Sequence, residues 1–113
     1  MWLSLFATAG LVAADWPQFR GPNATGVSDE TNLPVEFGPT KNLVWKTPLP
    51  RGYSSPSLAG DRIFLTAVEV ERLFTFALER ATGRVLWRRE SPRPRKQELQ
   101  ENNSPASATP ATD

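Results

Sequence analysis

Cysteine and histidine are both absent from the 113 residues of this chain. Without cysteine the chain forms no disulfide and has no thiolate nucleophile, and without histidine it lacks the side chain most often used as a general base. A zinc site of cysteine and histidine ligands, a Cys-His pair and a Ser-His-Asp triad therefore cannot be built from this chain alone. We identify no catalytic, cofactor-binding or metal-binding residue in the sequence, which favours a non-catalytic role.

An excess of charge of one sign is absent too, because 13 basic residues face 12 acidic ones and the net charge is +1. That balance argues against a dedicated nucleic-acid-binding protein. Positive charge is concentrated only in 88–96, where a solvated loop is favoured over a patch for an acidic partner because no aromatic residues are interleaved. The residues concerned are Arg88, Arg89, Arg93, Arg95 and Lys96.

The apolar run at the start of the chain is shorter than the roughly 20 residues that a membrane-spanning helix needs. Residues 1–14 carry no charge, and the small residues Val12, Ala13 and Ala14 precede Asp15 as they would at a signal-peptidase site. We interpret 1–14 as a signal peptide cleaved after Ala14. This predicts a secreted or periplasmic bacterial protein with no membrane span in the mature chain. A buried strand or short helix of the mature fold is the alternative.

Residues 15–41 are rich in glycine, proline, asparagine and aspartate, which predicts an irregular N-terminal segment. Two large aromatic residues, Trp16 and Phe19, lie among these turn signals, and we expect them to pack onto the rest of the fold. An active-site role for Arg20 or Asp29 is the alternative, but a few turn residues alone seldom make a site.

Short apolar segments separated by turn signals fill 54–90 and predict an all-β meander of four strands. Gly60 and Asp61 form the first turn, 69–71 connects the second and third strands, and 81–83 forms the last turn. The strands are predicted at 56–59, 62–68, 72–80 and 84–90.

The two central strands are apolar on both faces. In the second strand Ile63 and Leu65 alternate with Phe64 and Val68, so neither face shows the polar alternation of a half-exposed sheet. Both faces therefore need a cover, and a lone four-stranded sheet without a helix cannot supply it.

Residues 77–87 resemble the tryptophan-docking repeat of pyrroloquinoline-quinone-type (PQQ-type) β-propellers. The family pattern is Ala, any, Asp, any, any, Thr, Gly, Lys or similar, any, any, Trp, and Glu79 stands where the family prefers Asp. In the family the role of this motif is structural. The docking-motif residues here are Ala77, Glu79, Thr82, Gly83 and Trp87, with Trp45 as a second docking tryptophan.

Two further stretches carry the resemblance. Residues 16–22 are similar to the mature N-terminus of secreted bacterial PQQ-like propeller proteins, and 26–28 fits its continuation. The segment around Trp45 repeats the pattern around Trp87, which identifies 42–49 as a last-in-blade strand. Standing before any complete blade, this strand would close the ring of a longer chain. Trp87 would then dock in its own blade, and Trp45 in the blade that 42–49 completes.

The resemblance implies an incomplete propeller: a leader, a ring-closing strand, one four-stranded antiparallel blade at 54–90, and at 91–113 a loop and the start of the next blade. Residues 109–112 align with residues 55–58, where the first blade begins. A polar Ser/Pro/Ala/Thr tail is the alternative for the last segment.

We expect the family member to be a non-catalytic binding or assembly scaffold, with the remaining blades or another protein chain as its partner. One alternative is part of a quinone-dependent dehydrogenase, which would hold PQQ and usually calcium. The paired cysteines typical of the alcohol type are absent, and the oxygen ligands of 101–103 are a weak metal signal. The second alternative is a small self-associating β domain.

Overall fold

The computed structural model describes residues 14–92 and 102–113. One four-stranded antiparallel sheet dominates them, and the helical content is one short 3₁₀ turn, Pro22–Ala24. The all-β prediction and the four antiparallel strands of 54–90 are thereby confirmed. The strands are β1 (Ser57–Ala59), β2 (Arg62–Glu69), β3 (Arg72–Glu79) and β4 (Val85–Glu90).

The sheet is a meander in which each strand pairs with the next in the chain, in the order β1-β2-β3-β4. The β2–β3 turn is shorter than predicted, because Glu69 still pairs with Arg72. Only Val70 and Glu71 remain for the turn, and both have positive φ, as a type I′ hairpin turn requires. A β-branched residue rarely adopts this conformation, which explains why the sequence predicted a longer connection at 69–71.

One face of the sheet carries the hydrophobic core. Ala67, Phe74, Phe76 and Leu78 are buried there, and the partly buried Leu49 packs against them from outside the sheet. The two phenylalanine rings meet edge to face with centroids 6.4 Å apart. The core is small, because Phe74, Phe76 and Leu78 are the only hydrophobic side chains larger than alanine that are buried among the described residues.

The opposite face is organised around Ala77. Register places Ala77 between Phe64 on β2 and Trp87 on β4, and the two rings lie with centroids 6.0 Å apart. Ala77 has no exposed surface at all, whereas both aromatic rings are only partly buried. A small side chain is needed here because the larger neighbours on both sides close over it.

The irregular segments cover the β1 side of the sheet. Trp16 forms an isolated antiparallel bridge with Leu58, and Arg51 forms one with Val68. Two hydrogen bonds attach the C-terminal segment as well. The Tyr53 amide donates to the Ala106 carbonyl (2.9 Å), and the Thr112 amide donates to the Pro17 carbonyl (2.9 Å). Irregular chain therefore lies along the β1 edge of the sheet and pairs with part of it.

Two predicted strands are not observed among the described residues. Segment 42–49 forms no strand, because its backbone makes no ladder of hydrogen bonds with another described segment. Its burial nevertheless alternates as it does in an extended chain, because Trp45, Thr47 and Leu49 are partly buried while the residues between them are exposed. The opening strand of a second blade at 109–112 is likewise absent. The expected leader, apart from Ala14, lies outside the described residues.

Candidate functional site: the tryptophan-docked turn

The site with the most specific contacts is the loop between β3 and β4. The amide of Glu79 donates to the carbonyl of Arg84 (2.8 Å), and the amide of Gly83 donates back to the carbonyl of Glu79 (2.8 Å). Gly83 has φ of 71°, a left-handed conformation that glycine adopts without steric cost. The turn chemistry of Ala81, Thr82 and Gly83 thus sets the direction in which β4 leaves.

Glu79 closes this loop through its side chain. Its carboxylate accepts a hydrogen bond from the Thr82 hydroxyl and another from Arg84 Nη2 (3.3 Å). The Thr82 hydroxyl also accepts from the Arg84 amide at 3.2 Å. The Thr82 hydrogen bond, followed by the Arg84 contact, lowers the pKa of Glu79 below its ordinary value. A glutamate therefore closes the turn where the propeller pattern has an aspartate, despite its extra methylene.

Trp45 packs onto this loop from outside the sheet. Its indole Nε1 donates to the carbonyl oxygen of Arg80 at 2.9 Å. The ring lies against Gly83 so closely that a Cβ built there would be 2.3 Å from Trp45 Cε3. The Thr47 hydroxyl adds a hydrogen bond to the Gly83 carbonyl at 2.6 Å. Trp45 therefore contacts the Arg80 carbonyl and the bare glycine surface of this sheet, and its docking in the blade that 42–49 would complete stays a prediction.

Arg80 connects the same loop to the beginning of the described chain. Its guanidinium donates to the carbonyl of Ala14 (3.1 Å) and to that of Gly60 (3.3 Å), and its Nη1 lies 3.7 Å from the Asp15 carboxylate. Its own amide donates to the carbonyl of Asp61 at 2.8 Å. Arg80 thus connects the loop between β3 and β4 to the β1–β2 turn and to the N-terminal segment.

Trp87 is not part of this cluster. It lies opposite Ala77, against Phe64, and the guanidinium of Arg89 stands 5.1 Å from its ring centroid. The motif residues therefore serve two places. Glu79, Thr82 and Gly83 build the turn that receives Trp45, whereas Ala77 and Trp87 pack on the sheet face.

The basic residues of β4 are occupied within the sheet. Arg88 pairs with Glu69 at 2.8 Å and lies 5.0 Å from the Phe74 ring centroid. Arg72, which pairs with Glu90, stands 5.5 Å from the same centroid. This pair raises the pKa of Arg72 and lowers that of Glu90. Arg93, Arg95 and Lys96 lie outside the described residues.

The acidic side chains of the described residues do not cluster into a metal site. In 14–92 and 102–113 no three histidine, cysteine, aspartate or glutamate side chains come together as metal ligands would. Asn103 uses its side-chain oxygen locally, accepting from the Ser104 amide and the Ser107 hydroxyl. Glu101 lies outside the described residues.

No described helix is both long and apolar enough to cross a bilayer.

Two residues of the site were not predicted. Arg80 acts through its backbone carbonyl as much as through its side chain, and a carbonyl has no signature in a sequence. Thr47 could have been found, because it stands two residues after Trp45 and so shares its face on an extended chain.

The fold and the site together define an all-β chain whose sheet receives a tryptophan from a preceding segment. Comparison with protein-family models, with curated proteins and with solved structures finds no match.

Proposed function

We propose that this chain is a repeat module of a secreted or periplasmic β-propeller-like protein that acts as a non-catalytic binding or assembly scaffold. The observation that supports this most strongly is the docking of Trp45 on the Arg80–Gly83 loop. Such a contact fixes the position of a segment without requiring it to join the sheet. Modules that are stacked side by side need contacts of this kind.

The surroundings of Trp45 agree with this proposal. Its neighbours Leu43 and Val44 are 50% and 85% exposed, although both are strongly apolar. Segment 42–49 thus has Trp45 and Thr47 fixed to the sheet, while the apolar Leu43 and Val44 that precede them have no cover. This is the arrangement expected for a strand that belongs to a neighbouring blade.

The balance between core and surface supports the same view. Three large hydrophobic side chains are buried in the described chain, while others are largely exposed to solvent, such as Val35 (96% exposed) and Phe37 (79% exposed). A core of this size rarely stabilises a chain of this length alone, and repeat modules bury their faces against neighbours.

A second candidate is a small β domain that covers its apolar surface by self-association, which the same exposed side chains favour. Light scattering on the purified chain distinguishes the two. A defined dimer or small oligomer with native β structure supports self-association. A heterogeneous or partly unfolded product that becomes uniform only with a separate partner chain supports the scaffold module. A well-folded monomer contradicts both.

The cellular location requires its own experiment. Expression in a bacterial host followed by fractionation should place the chain in the periplasm or medium, with the leader removed. Retention of the uncleaved chain in the cytoplasm would contradict the proposed export and leave the proposal of a repeat module standing.

A further inference from the structure

An open cleft of about 420 Å³ lies between Trp16 and the loop 22–29. Its walls include Pro22, Asn23, Val27 and Asp29. The volume falls within the range of about 300–1,000 Å³ that small-molecule sites occupy. The repeat-module proposal gives this cleft no role.

The aromatic wall of the cleft is held rigidly. Trp16 exchanges two backbone hydrogen bonds with Leu58 of β1, at 2.9 and 2.8 Å. Gly21 lies against the Trp16 ring so closely that a Cβ on Gly21 would be 2.5 Å from Trp16 Cδ2, and the φ of Gly21 is 67°. Trp16 is only partly buried, and it lines the cleft. A site built on a fixed ring of this kind is pre-organised.

The opposite wall is a loop of tight turns with strained backbone conformations. Its turns are closed by hydrogen bonds from Ala24 to the Gly21 carbonyl (3.0 Å) and from Gly26 to the Arg20 carbonyl (2.8 Å). Strained backbone of this kind clusters at ligand-binding sites, where the surrounding structure maintains it. The residues with positive φ are Arg20, Gly21, Asn23, Ala24 and Gly26.

The polar groups of the cleft divide into used and unused ones. The hydroxyls of Thr25 and Ser28 accept from the amides of Val27 (3.3 Å) and Glu30 (3.2 Å), so they maintain the loop. By contrast, no hydrogen bond joins the indole N–H of Trp16, or the exposed side chains of Asn23 and Asp29, to another described residue.

We propose that this cleft binds one ring of a neutral saccharide. The three unused groups are a donor (the Trp16 N–H), a donor and acceptor (the Asn23 amide) and an acceptor (the Asp29 carboxylate). Sugar hydroxyls both donate and accept, so they satisfy all three, while the apolar C–H face of the ring packs on the indole. A cation has no use for the two donors, and the Asp29 carboxylate repels an anion.

The test uses the full chain labelled with 5-fluorotryptophan, in which Trp16→Phe identifies the Trp16 fluorine resonance. The probes are methyl β-glucopyranoside, methyl β-galactopyranoside and methyl α-mannopyranoside at concentrations up to tens of millimolar. We expect at least one to shift the Trp16 resonance saturably while the Trp45 and Trp87 resonances stay in place. Asp29→Ala should weaken the affinity by about tenfold, the loss of one charged hydrogen bond. Glu36→Ala, which removes a carboxylate outside the cleft, should leave it unchanged.

If Asp29→Ala loses the native dispersion of the fluorine spectrum, Asn23→Ala serves as the second variant with the same expected weakening. Absence of a Trp16 shift with all three glycosides overturns the proposal. So does a shift by tetramethylammonium without one by the glycosides, which would make the cleft a cation site. The result does not depend on whether the chain is a repeat module.

Discussion

Trp45 Nε1 lies 2.9 Å from the carbonyl oxygen of Arg80, a residue 35 positions later in the chain. The same indole covers Gly83, three residues further on. A long-range contact of this kind fixes segment 42–49 on the sheet through one side chain.

Trp45→Phe keeps an aromatic ring and removes the donor to the Arg80 carbonyl. We expect the free energy of unfolding to fall by about 1–2 kcal/mol, the value of one hydrogen bond plus some lost ring contact. Urea unfolding at one fixed protein concentration measures it. Tyr53→Phe is the matched control because Tyr53 is an exposed aromatic residue, and it should change stability by less than about 0.5 kcal/mol. Equal effects of the two variants would show that the indole donor has no role.

Gly83→Ala should be among the most damaging single-methyl additions in the described chain. The new Cβ would meet Trp45 and Thr47, and alanine at φ of 71° is strained as well. We expect a loss of about 2–4 kcal/mol of unfolding free energy. Gly38→Ala provides the control, since nothing lies within 4 Å of its Cβ. A Gly83→Ala variant as stable as Gly38→Ala would contradict the docking geometry.

Ala77→Leu tests the packing on the other face. Ala77 is fully buried between Phe64 and Trp87, so the larger side chain must push the rings apart, at a cost of about 1–3 kcal/mol. Near-ultraviolet circular dichroism should also lose part of its tryptophan signal. Ala81→Leu, at an exposed position of the turn, should leave both observables close to wild type. Tolerance of Ala77→Leu would mean that Trp87 does not close over this site.

The Glu79 carboxylate makes stability depend on pH in one direction. Its pKa is lower in the folded chain, chiefly because of the Thr82 hydrogen bond, so the folded state favours the ionised form. This contribution is complete above the pKa of the unfolded chain, about 4.3, and is lost as the pH falls through the lower folded value. Glu79→Gln should therefore flatten the decline of the thermal midpoint on acidification. Glu36→Gln should keep the wild-type slope. Identical slopes for wild type and Glu79→Gln would remove Glu79 from the turn.

The sheet could be predicted from the sequence because its signals are local. Alternating apolar residues define β2 and β3, and Gly60 and Gly83 mark two of the three turns. Segment 42–49 was harder, because a strand needs a neighbour and its surroundings depend on residues far along the chain. Its pattern gave the extended chain but not its location on the Arg80–Gly83 loop. The cleft at Trp16 could not be predicted, because left-handed Arg20, Asn23 and Ala24 carry no sequence signature.

The most direct test of the central claim, that this chain is a module which needs a neighbour to bury its faces, is urea unfolding over a wide range of protein concentration. Near-ultraviolet tryptophan signals follow the transition. We predict a broad transition with weak tryptophan signals for the chain alone at every concentration, because no neighbouring module buries its faces. A midpoint that rises with concentration would instead show folding coupled to self-association and support the small β domain. A sharp, cooperative transition of a monomer, with strong tryptophan signals and a midpoint independent of concentration, would contradict the account.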